Sequence, residues 1–455
     1  MTNTVSLENF GATIKSTTLK NGIKLVSAYK PKSPVYIVIS LLAGSRFDHA
    51  GKEGLSHLLE HLLVSGTKKF PKKEDLARKI DSVGGLFGAT TGVESLFLWA
   101  SFPDSGDFRV VLEVLSEELL NSTFAPNSFS KERDAILAEI GRKNSNPVGL
   151  LSEISKKLVF QGTRLEYSTL GTPESLRGIS IDDVVDQYKN VLKTSGILVF
   201  VSGDITHANA LESAEKCFGK ISKEKIAALN SALPIIRKET ITTNNSLKTD
   251  HISISLDFRA QNFFGELFSA SRVLATILGR GKASRLAIRL RQEAGLVYEF
   301  NVGSLGFEDS GVFSIRTSTA KNSLEKVLKI IAGELQNISK SKIDEREVKM
   351  AKVKMVKSLR LSLETSEAFA NFHTYPNLIA KSRWTVEDYI KGINAVTPDD
   401  ILKYAKKYLN RNSWYLSAVG NITNEELIDI ASRVWKTRIY HTNPPKTIDF
   451  DVLKP

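Results

Sequence analysis

Three residues in the first part of the chain have the types and spacing of a metal site: His57, Glu60 and His61. Two imidazoles at positions i and i+4 of a helix lie one turn apart on a shared face, where both can bind one metal ion. A carboxylate beside them can act on water at that metal. The pattern indicates hydrolytic metal chemistry, and the competing interpretation is a chance pair of histidines, because short motifs have false positives.

The element that must present these residues is a helix with one buried stripe. The order His-x-x-Glu-His inverts the usual zinc-peptidase motif and is the inverzincin pattern. We therefore expect His57 and His61 to bind zinc from the helix face opposite the stripe. The leucines of that stripe recur at helical spacing: Leu55, Leu58, Leu59, Leu62 and Leu63.

Length and composition restrict the class of protein. The 455 residues are too many for one ordinary core, and 42% hydrophobic with 25% charged residues is typical of a folded soluble chain. The single cysteine, Cys217, excludes an internal disulfide framework and suits a reducing compartment. The sequence has no apolar run of about 18 residues, and residues 1–8 lack the build of a signal peptide or a mitochondrial presequence. We expect a cytoplasmic protein with no membrane partner.

The net charge of +12 raises the question of an anionic partner. The lysines are spread along the chain, without a dense basic run and without interleaved aromatic residues. This distribution favours a lysine-rich solvated surface over nucleic-acid binding. We therefore expect no nucleic-acid partner.

Two stretches of the chain share the pattern of a helix, a strand and then Gly-x-Ile-Thr. Asp182 and Gly203 mark the first stretch, and Asp399 and Gly420 mark the second, at one offset (399 − 182 and 420 − 203 both equal 217). A repeat this long indicates two tandem copies of one domain rather than a solenoid.

The duplication predicts the domain boundaries. We place a catalytic domain at residues 1–223, a polar, proline-containing linker at 224–247, and a homologous domain at 248–455. The helix equivalent to the histidine helix, near Leu267 to Leu278, carries no metal-ligand set. Chemistry is therefore expected in the first copy.

Catalytic zinc usually takes three protein ligands, so a third is needed. The stretch from Phe129 to Ile140 is helical in pattern, and Glu132 and Glu139 share a face along the flank of its apolar stripe. Carboxylates bordering a buried surface cost free energy unless they are paired or bind a metal. From the residues alone, both glutamates are equally compatible with a solvated flank.

At this point the chain resembles the pitrilysin/insulinase (M16) family of inverzincin metallopeptidases, in the short-chain branch that includes mitochondrial processing peptidase and bacterial relatives. That family has His-x-x-Glu-His and, further on, a glutamate inside a Glu-x6-Glu helix. Here Glu139 follows His61 by 78 residues (139 − 61), and Glu132 stands seven before it. The resemblance implies His57, His61 and Glu139 as ligands of Zn²⁺. It also implies Glu60 as the general base for zinc-bound water, and Glu132 as the carboxylate that supports a ligand.

The resemblance continues in the second copy. Arg291 and Tyr298, in a Gly-Leu-x-Tyr context, match the Arg/Tyr pair that in the family binds substrate and stabilises developing negative charge. One departure concerns the strand beside the zinc, where the family commonly has Asn-Ala-x-Thr and this chain has Gly88 followed by Ala89, Thr90 and Thr91. This chain therefore lacks the asparagine side chain that contacts substrate in the family, whereas backbone pairing with a peptide at residues 89–91 is expected.

The resemblance implies an α+β fold of two tandem, homologous α/β-sandwich domains, each with an antiparallel-dominated sheet and helices on one face. Four such domains form a clam-shell chamber in the family, so a two-domain chain is expected to form a homodimer around a peptide or unfolded polypeptide. The expected activity is that of a zinc endopeptidase. The alternatives are a non-catalytic core subunit of the same fold, or a catalytic subunit that requires a separate partner chain.

Overall fold

A computed structural model describes residues 3–224, 240–380, 383–410 and 413–435. The chain divides into two compact units, and each contains one sheet with helices around it. The predicted α+β class is confirmed. The units are discontinuous in sequence: the first comprises Met1–Arg142, Tyr167–Asn230 and Lys352–Ala395, and the second comprises Lys143–Glu166, Ser231–Ala351 and Val396–Pro455.

The strands of both sheets are short, and most pairs are antiparallel. In the first unit the strand order is β1-β2-β3-β7-β4-β6-β5, with a parallel β3–β7 pair. In the second it is β10-β11-β9-β12-β8, with a parallel β12–β8 pair. The strands are β1 Asn3–Leu7, β2 Ala12–Thr18, β3 Lys24–Tyr29, β4 Val35–Leu41, β5 Leu86–Thr91, β6 Leu96–Phe102, β7 Ile197–Gly203, β8 Ile241–Asn244, β9 His251–Ala260, β10 Phe300–Gly306, β11 Gly311–Ala320 and β12 Trp414–Val419.

Helices form at three places where the sequence predicts them: the leucine stripe at 55–63, the stretch 129–140 and the stretch 267–278. No helix in the described part of the chain is long and apolar enough to cross a membrane. The helices are α1 Leu55–Leu63, α2 Lys73–Asp81, α3 Phe108–Asn121, α4 Pro126–Asn144, α5 Pro147–Val159, α6 Pro173–Gly178, α7 Ile181–Val191, α8 His207–Phe218, α9 Phe268–Gly279, α10 Leu324–Lys340, α11 Glu345–Ser362, α12 Ser366–Ile379, α13 Val386–Ala395, α14 Pro398–Tyr408 and α15 Asn424–Trp435.

The two sheets show the duplication element by element. Helices α14 and α15 and strand β12 start 217 residues after α7, α8 and β7 (398 − 181, 424 − 207 and 414 − 197). The strand order β3-β7-β4-β6-β5 of the first sheet reappears as β8-β12-β9-β11-β10 in the second. Among the described residues, the first sheet has two further strands, β1 and β2, at its edge. The two sheets therefore have the same topology, as the repeat predicts.

Helices cover both faces of the first sheet, so the expectation of helices on one face is wrong. One face packs on α1, α3 and α8 in the larger core. The other face, with Val38 and Phe200, packs on Phe369 and Leu378 of α12. The physical reason is visible in β4 and β7, where every residue is buried. A strand that is apolar throughout needs cover on both sides.

The helix that covers this second face comes from the other copy of the repeat. Helix α12 lies in the second copy by sequence, yet packs on β4 and β7 of the first sheet. Its equivalent in the first copy, α5, packs on β8, β9 and β12 of the second sheet. The offset of 217 relates the two helices (366 − 217 = 149, inside α5). Each unit thus takes one helix from the opposite copy.

Part of the predicted linker is a strand. Residues 225–239 of the linker at 224–247 lie outside the described residues, but Ile241–Asn244 forms β8 and pairs with β12. The structure thus places an edge strand inside the predicted linker range, which its polar Thr-Thr-Asn sequence does not indicate. The boundaries 1–223 and 248–455 stay a prediction for the repeat, and the compact units divide the chain elsewhere.

Candidate metal centre

Helix α1 is fixed in the first unit by its leucines. All five are fully buried in the core, and each contributes on the order of 1.5–3 kcal/mol to stability as an upper estimate. His57 and His61 lie on the other side, and their Nε2 atoms are 2.9 Å apart. Two lone pairs tolerate this distance only when a proton or a cation lies between them. The structure therefore aims both imidazoles at one point, as the motif predicts.

Asp48 holds the N-terminus of this helix. Its carboxylate accepts hydrogen bonds from Gly54 N (2.8 Å), Ser56 N (2.9 Å) and Ser56 Oγ (2.6 Å). Burial raises the pKa of Asp48 to about 7, although these three donors lower it. Sequence analysis missed this residue, because an acid eight positions before Ser56 is outside the range of ordinary helix-capping signals.

The loop before α1 is fastened to the β5–β6 turn. Arg46 forms an ion pair with Glu94, and both side chains are buried. Tyr375 of α12 donates a hydrogen bond to the same Glu94 carboxylate. Gly44 has a φ of 120°, and a Cβ there would lie 2.5 Å from the carbonyl oxygen of Gly92. Only glycine allows this close approach. The metal-facing helix and strand β5 are therefore held in one rigid block.

Helix α4 brings the third candidate ligand. Glu139 Oε2 lies 3.4 Å from His57 Nε2, and Glu139 Oε1 lies 3.9 Å from His61 Nε2. One donor atom from each of His57, His61 and Glu139 lies within 4.8 Å of the others. Helix α4 thus places Glu139 beside the Nε2 atoms of both histidines. Glu132, seven residues earlier, lies beside Nδ1 of His61.

Glu132 orients one of the histidines. Its Oε2 lies 2.8 Å from His61 Nδ1, so the ring donates from Nδ1 and presents Nε2 to the metal position. The hydrogen bond with His61 holds the pKa of Glu132 below its usual value. The carboxylate is buried and charged, and its role is to fix the tautomer and direction of His61.

Glu60 lies beside the three donors with one oxygen unsatisfied. Glu60 Oε2 is buried and has no hydrogen-bond partner among the described residues. Burial raises the pKa of Glu60, an effect that a hydrogen bond with Thr91 opposes and the nearby Glu139 carboxylate increases. A buried carboxylate oxygen without a partner is costly, which is expected where a group awaits substrate or water.

These residues fit a zinc ion. Two imidazole nitrogens and one carboxylate oxygen are a common donor set for catalytic zinc, which keeps a further position open for water. Such a cation would also relieve the close approach of the two Nε2 atoms. His57, His61 and Glu139 would hold the ion, and Glu60 would remain free to exchange a proton.

Strand β5 is the edge strand of the first sheet, and it contains Ala89, Thr90 and Thr91. The glycine at position 88 is explained by Trp99, its cross-strand partner. A Cβ on Gly88 would lie 2.9 Å from the Trp99 ring, which stacks on Tyr36 with centroids 6.0 Å apart. The stacked Trp99 therefore leaves no room for an asparagine side chain at position 88.

Arg291 and Tyr298 lie together in the second unit. The Arg291 guanidinium lies 5.3 Å from the centre of the Tyr298 ring, a cation–π distance. Arg291 is on the π-helix Ala287–Glu293, and Tyr298 is 77% exposed. Both line a cleft of about 1070 Å³. This pair belongs to the second unit, whereas the residues of the metal centre belong to the first.

Comparison with known proteins identifies the family to which the chain belongs. Residues 24–173 match the family model for insulinase (peptidase family M16), and residues 178–355 match the model for the peptidase M16 inactive domain. The chain belongs to peptidase family M16. The insulinase-family match and relatives named zinc protease and mitochondrial-processing peptidase together identify the protein as a metallopeptidase, as the sequence predicts.

Similar proteins cover nearly the whole M16 chain. An uncharacterized zinc protease of Bacillus subtilis, YmxG, is 27% identical over 396 residues, covering 87% of this chain and 95% of the relative. The mitochondrial-processing peptidase subunit beta of Saccharomyces cerevisiae is 24% identical, with 90% and 91% covered. A protease from Helicobacter pylori has a similar fold, with a TM-score of 0.81, 20% identity, and 89% and 99% coverage.

The Glu132–His61 contact predicts an effect on metal affinity. We expect Glu132→Ala to weaken zinc binding about 10- to 100-fold, because His61 then loses the partner that fixes its ring. Competition with a chromophoric chelator measures this change. The exposed Asp134 on the same helix is the matched control, and Asp134→Ala should leave the affinity unaltered. Unchanged zinc affinity in the Glu132 variant would contradict the assignment.

Proposed function

We propose that the protein is a zinc-dependent endopeptidase that cleaves peptides or unfolded segments. The observation that carries this proposal is the convergence of His57, His61 and Glu139 donor atoms within 4.8 Å, with the unsatisfied carboxylate of Glu60 beside them. A structural zinc site closes all four positions with protein ligands. Here three donors and an adjacent acid favour catalysis.

Bound zinc would supply Lewis-acid activation of a water molecule and of the scissile carbonyl. Glu60 takes the proton of the attacking water and delivers it to the nitrogen of the leaving amine. Burial raises the pKa of Glu60, and a carboxylate that is a stronger base accepts a proton more readily. Thr91 lies near the Glu60 carboxylate and, as a hydrogen-bond donor, lowers the pKa of Glu60.

The peptide would bind as an added strand along β5. An edge strand presents unpaired N–H and C=O groups, which an extended peptide can pair with. Ala89, Thr90 and Thr91 lie on this edge strand, and Thr91 lies near enough to Glu60 to lower its pKa. Arg291 and Tyr298 would contact the substrate and donate hydrogen bonds to the charge that develops on the carbonyl oxygen.

We also propose that the active form is a homodimer. The support is that one chain carries both the metal set in its first copy and Arg291 with Tyr298 in its second. A non-catalytic core subunit is disfavoured, because no ligand or general base of the metal centre is replaced. A subunit that depends on a different partner chain is the remaining alternative, and the isolated protein distinguishes it.

The experiment is a combined metal and activity measurement on the purified chain. We expect one zinc per chain by mass spectrometry and cleavage of a quenched peptide that coelutes with a dimer. Chelation should remove activity, and added zinc should restore it. Zinc-loaded protein that cleaves no peptide in a diverse library would contradict the proposal. Cleavage that appears only after a second, different chain is added would support the partner-dependent alternative.

A further inference from the structure

The cleft in the second unit has a basic lining. Its walls come from α5, β9, β11 and the segment that follows α9, and its volume of about 1070 Å³ is at the upper end of ligand pockets. Three cationic side chains line it, Lys282, Arg291 and Arg316, against one carboxylate, Glu299. None of the three cations forms an ion pair within 4.0 Å among the described residues. The cleft therefore has a net positive charge.

Of the three cationic side chains, Arg316 has the geometry best suited to bind a specific ligand. It lies on β11, which is paired on both sides, and its Nε donates to Ser255 Oγ at 3.3 Å. The two terminal nitrogens of its guanidinium have no hydrogen-bond partner among the described residues. A planar fork held at one end and open at the other is suited to a carboxylate.

A buried acid near Arg316 does not neutralise the positive charge of its guanidinium by a close ion pair. Asp257, on β9, is completely buried, and burial raises its pKa. The Asp257 carboxylate accepts a hydrogen bond from Ser155 Oγ at 2.7 Å rather than forming a close ion pair with Arg316. Arg316 opposes the rise in that pKa only at longer range. The guanidinium thus remains a cation without a contacting counter-charge.

The duplication shows that this cleft is a specific feature of the second copy. Arg316 and Ser253 are the equivalents of Trp99 and Tyr36 (316 − 99 and 253 − 36 both equal 217), and the strand registers agree. In the first sheet, Tyr36 and Trp99 stack and fill the space. In the second, a small serine and an arginine line the cleft instead. The same place in the fold is filled in one unit and open and basic in the other.

We propose that this cleft binds a carboxylate of the peptide substrate, with Arg316 as the residue that determines this specificity. The inference rests on the proposed peptidase function and deepens it by naming a substrate class. Val148 and Leu151 contribute an apolar wall beside the cations, and a lower local dielectric beside such a wall strengthens attraction to an anion. The carboxylate comes either from an acidic side chain or from a free C-terminus.

Binding is tested without turnover, on zinc-loaded Glu60→Gln protein. Fluorescence anisotropy compares labelled peptides that differ only by Asp against Asn, and by a free against an amidated C-terminus. A charge-assisted hydrogen bond corresponds to about 10- to 100-fold tighter binding of the carboxylate form. The Asp/Asn pair and the C-terminal pair show which source supplies it. Equal binding of both members of both pairs would overturn the proposal.

The assignment to Arg316 is tested in the same background. We expect Arg316→Gln to reduce the carboxylate preference to near unity and Arg316→Lys to retain part of it. Arg346, exposed on α11 in the same unit, is the matched control, and Arg346→Gln should keep the full preference. If Arg316→Gln protein of normal thermal stability keeps the carboxylate preference, other residues cause that preference. This result would overturn the role of Arg316.

Measuring cleavage rates distinguishes a failure of the carboxylate specificity from a failure of the peptidase function. Cleavage rates of the paired peptides by the native protein should show the same ratio as the binding data. Equal cleavage of acidic and neutral peptides would overturn the carboxylate specificity and leave the peptidase function intact. Carboxylate-dependent binding with no cleavage of any peptide would contradict the peptidase function and leave the cleft assignment standing.

Discussion

Replacing Glu60 with glutamine should lower kcat for a quenched peptide by about 10²- to 10⁴-fold, the usual contribution of a general base. Glutamine has nearly the same shape but cannot take a proton from water. Because Glu60 is not one of the three convergent donors, the variant should still bind one zinc per chain. Loss of activity with retained zinc is therefore the expected signature.

The measurement needs both zinc content and single-turnover rate on one sample. Glu174, exposed on α6, provides a matched control in the same unit, and Glu174→Gln should cleave at the native rate. Native turnover by zinc-replete Glu60→Gln protein would rule out Glu60 as the proton carrier. Loss of zinc together with activity would instead identify Glu60 as a ligand.

The second large effect concerns Glu118 on α3, which lies within the core of the first unit. Both of its carboxylate oxygens are buried without a hydrogen-bond partner among the described residues. Burial raises the pKa of Glu118 from 4.5 to about 8, although Lys73 of α2 lowers it. The carboxyl group is thus neutral in the folded protein at pH 7, whereas it is ionised in the unfolded chain.

This difference makes folding stability fall as pH rises from about 4.5 to about 8. In that range the folded state keeps a proton that the unfolded state releases, so each pH unit destabilises by up to about 1.4 kcal/mol. The full change approaches 5 kcal/mol, as an order of magnitude. Below the lower value both states are protonated, and above the upper value both are ionised, so the dependence ends at each limit.

Glu118→Gln should remove this dependence, because glutamine is neutral at every pH. Relative to the native protein, the variant should gain stability steadily between pH 5 and pH 8, as measured by equilibrium urea unfolding. Glu117→Gln is the control, since its neighbour Asn121 can donate to the new amide oxygen as it does to the carboxylate. A native-minus-variant difference that stays flat across this range would show that Glu118 is ionised in the folded state.

The metal centre could be predicted from the sequence because its signals are local. The leucine stripe of α1 and the spacing of Glu132 and Glu139 on α4 depend on helix periodicity alone. The resemblance then connected two helices that lie far apart in the chain. The structure adds the groups that position them: Asp48 at the N-terminus of α1, and the buried Arg46–Glu94 pair. These contacts have no periodic pattern.

The helix exchange and the basic cleft could not be predicted, for a different reason. Both depend on which element covers a sheet face, and the sequence of β4 indicates only that both of its faces need cover. It does not indicate that α12 provides it. In the same way, Arg316 and Ser253 acquire meaning only once the strand registers show that they replace a stacked aromatic pair.

The position of α12 bears on how the protein is made. Tyr36 and Phe369 belong to one core cluster but are 333 residues apart in the chain (369 − 36). At ribosomal speeds of about 5–20 residues per second, roughly 15 to 70 s separate their synthesis. During that interval the second face of the first sheet exposes apolar strands to solvent and to chaperones. The catalytic half therefore completes its core only after residues 352–395 have emerged from the ribosome.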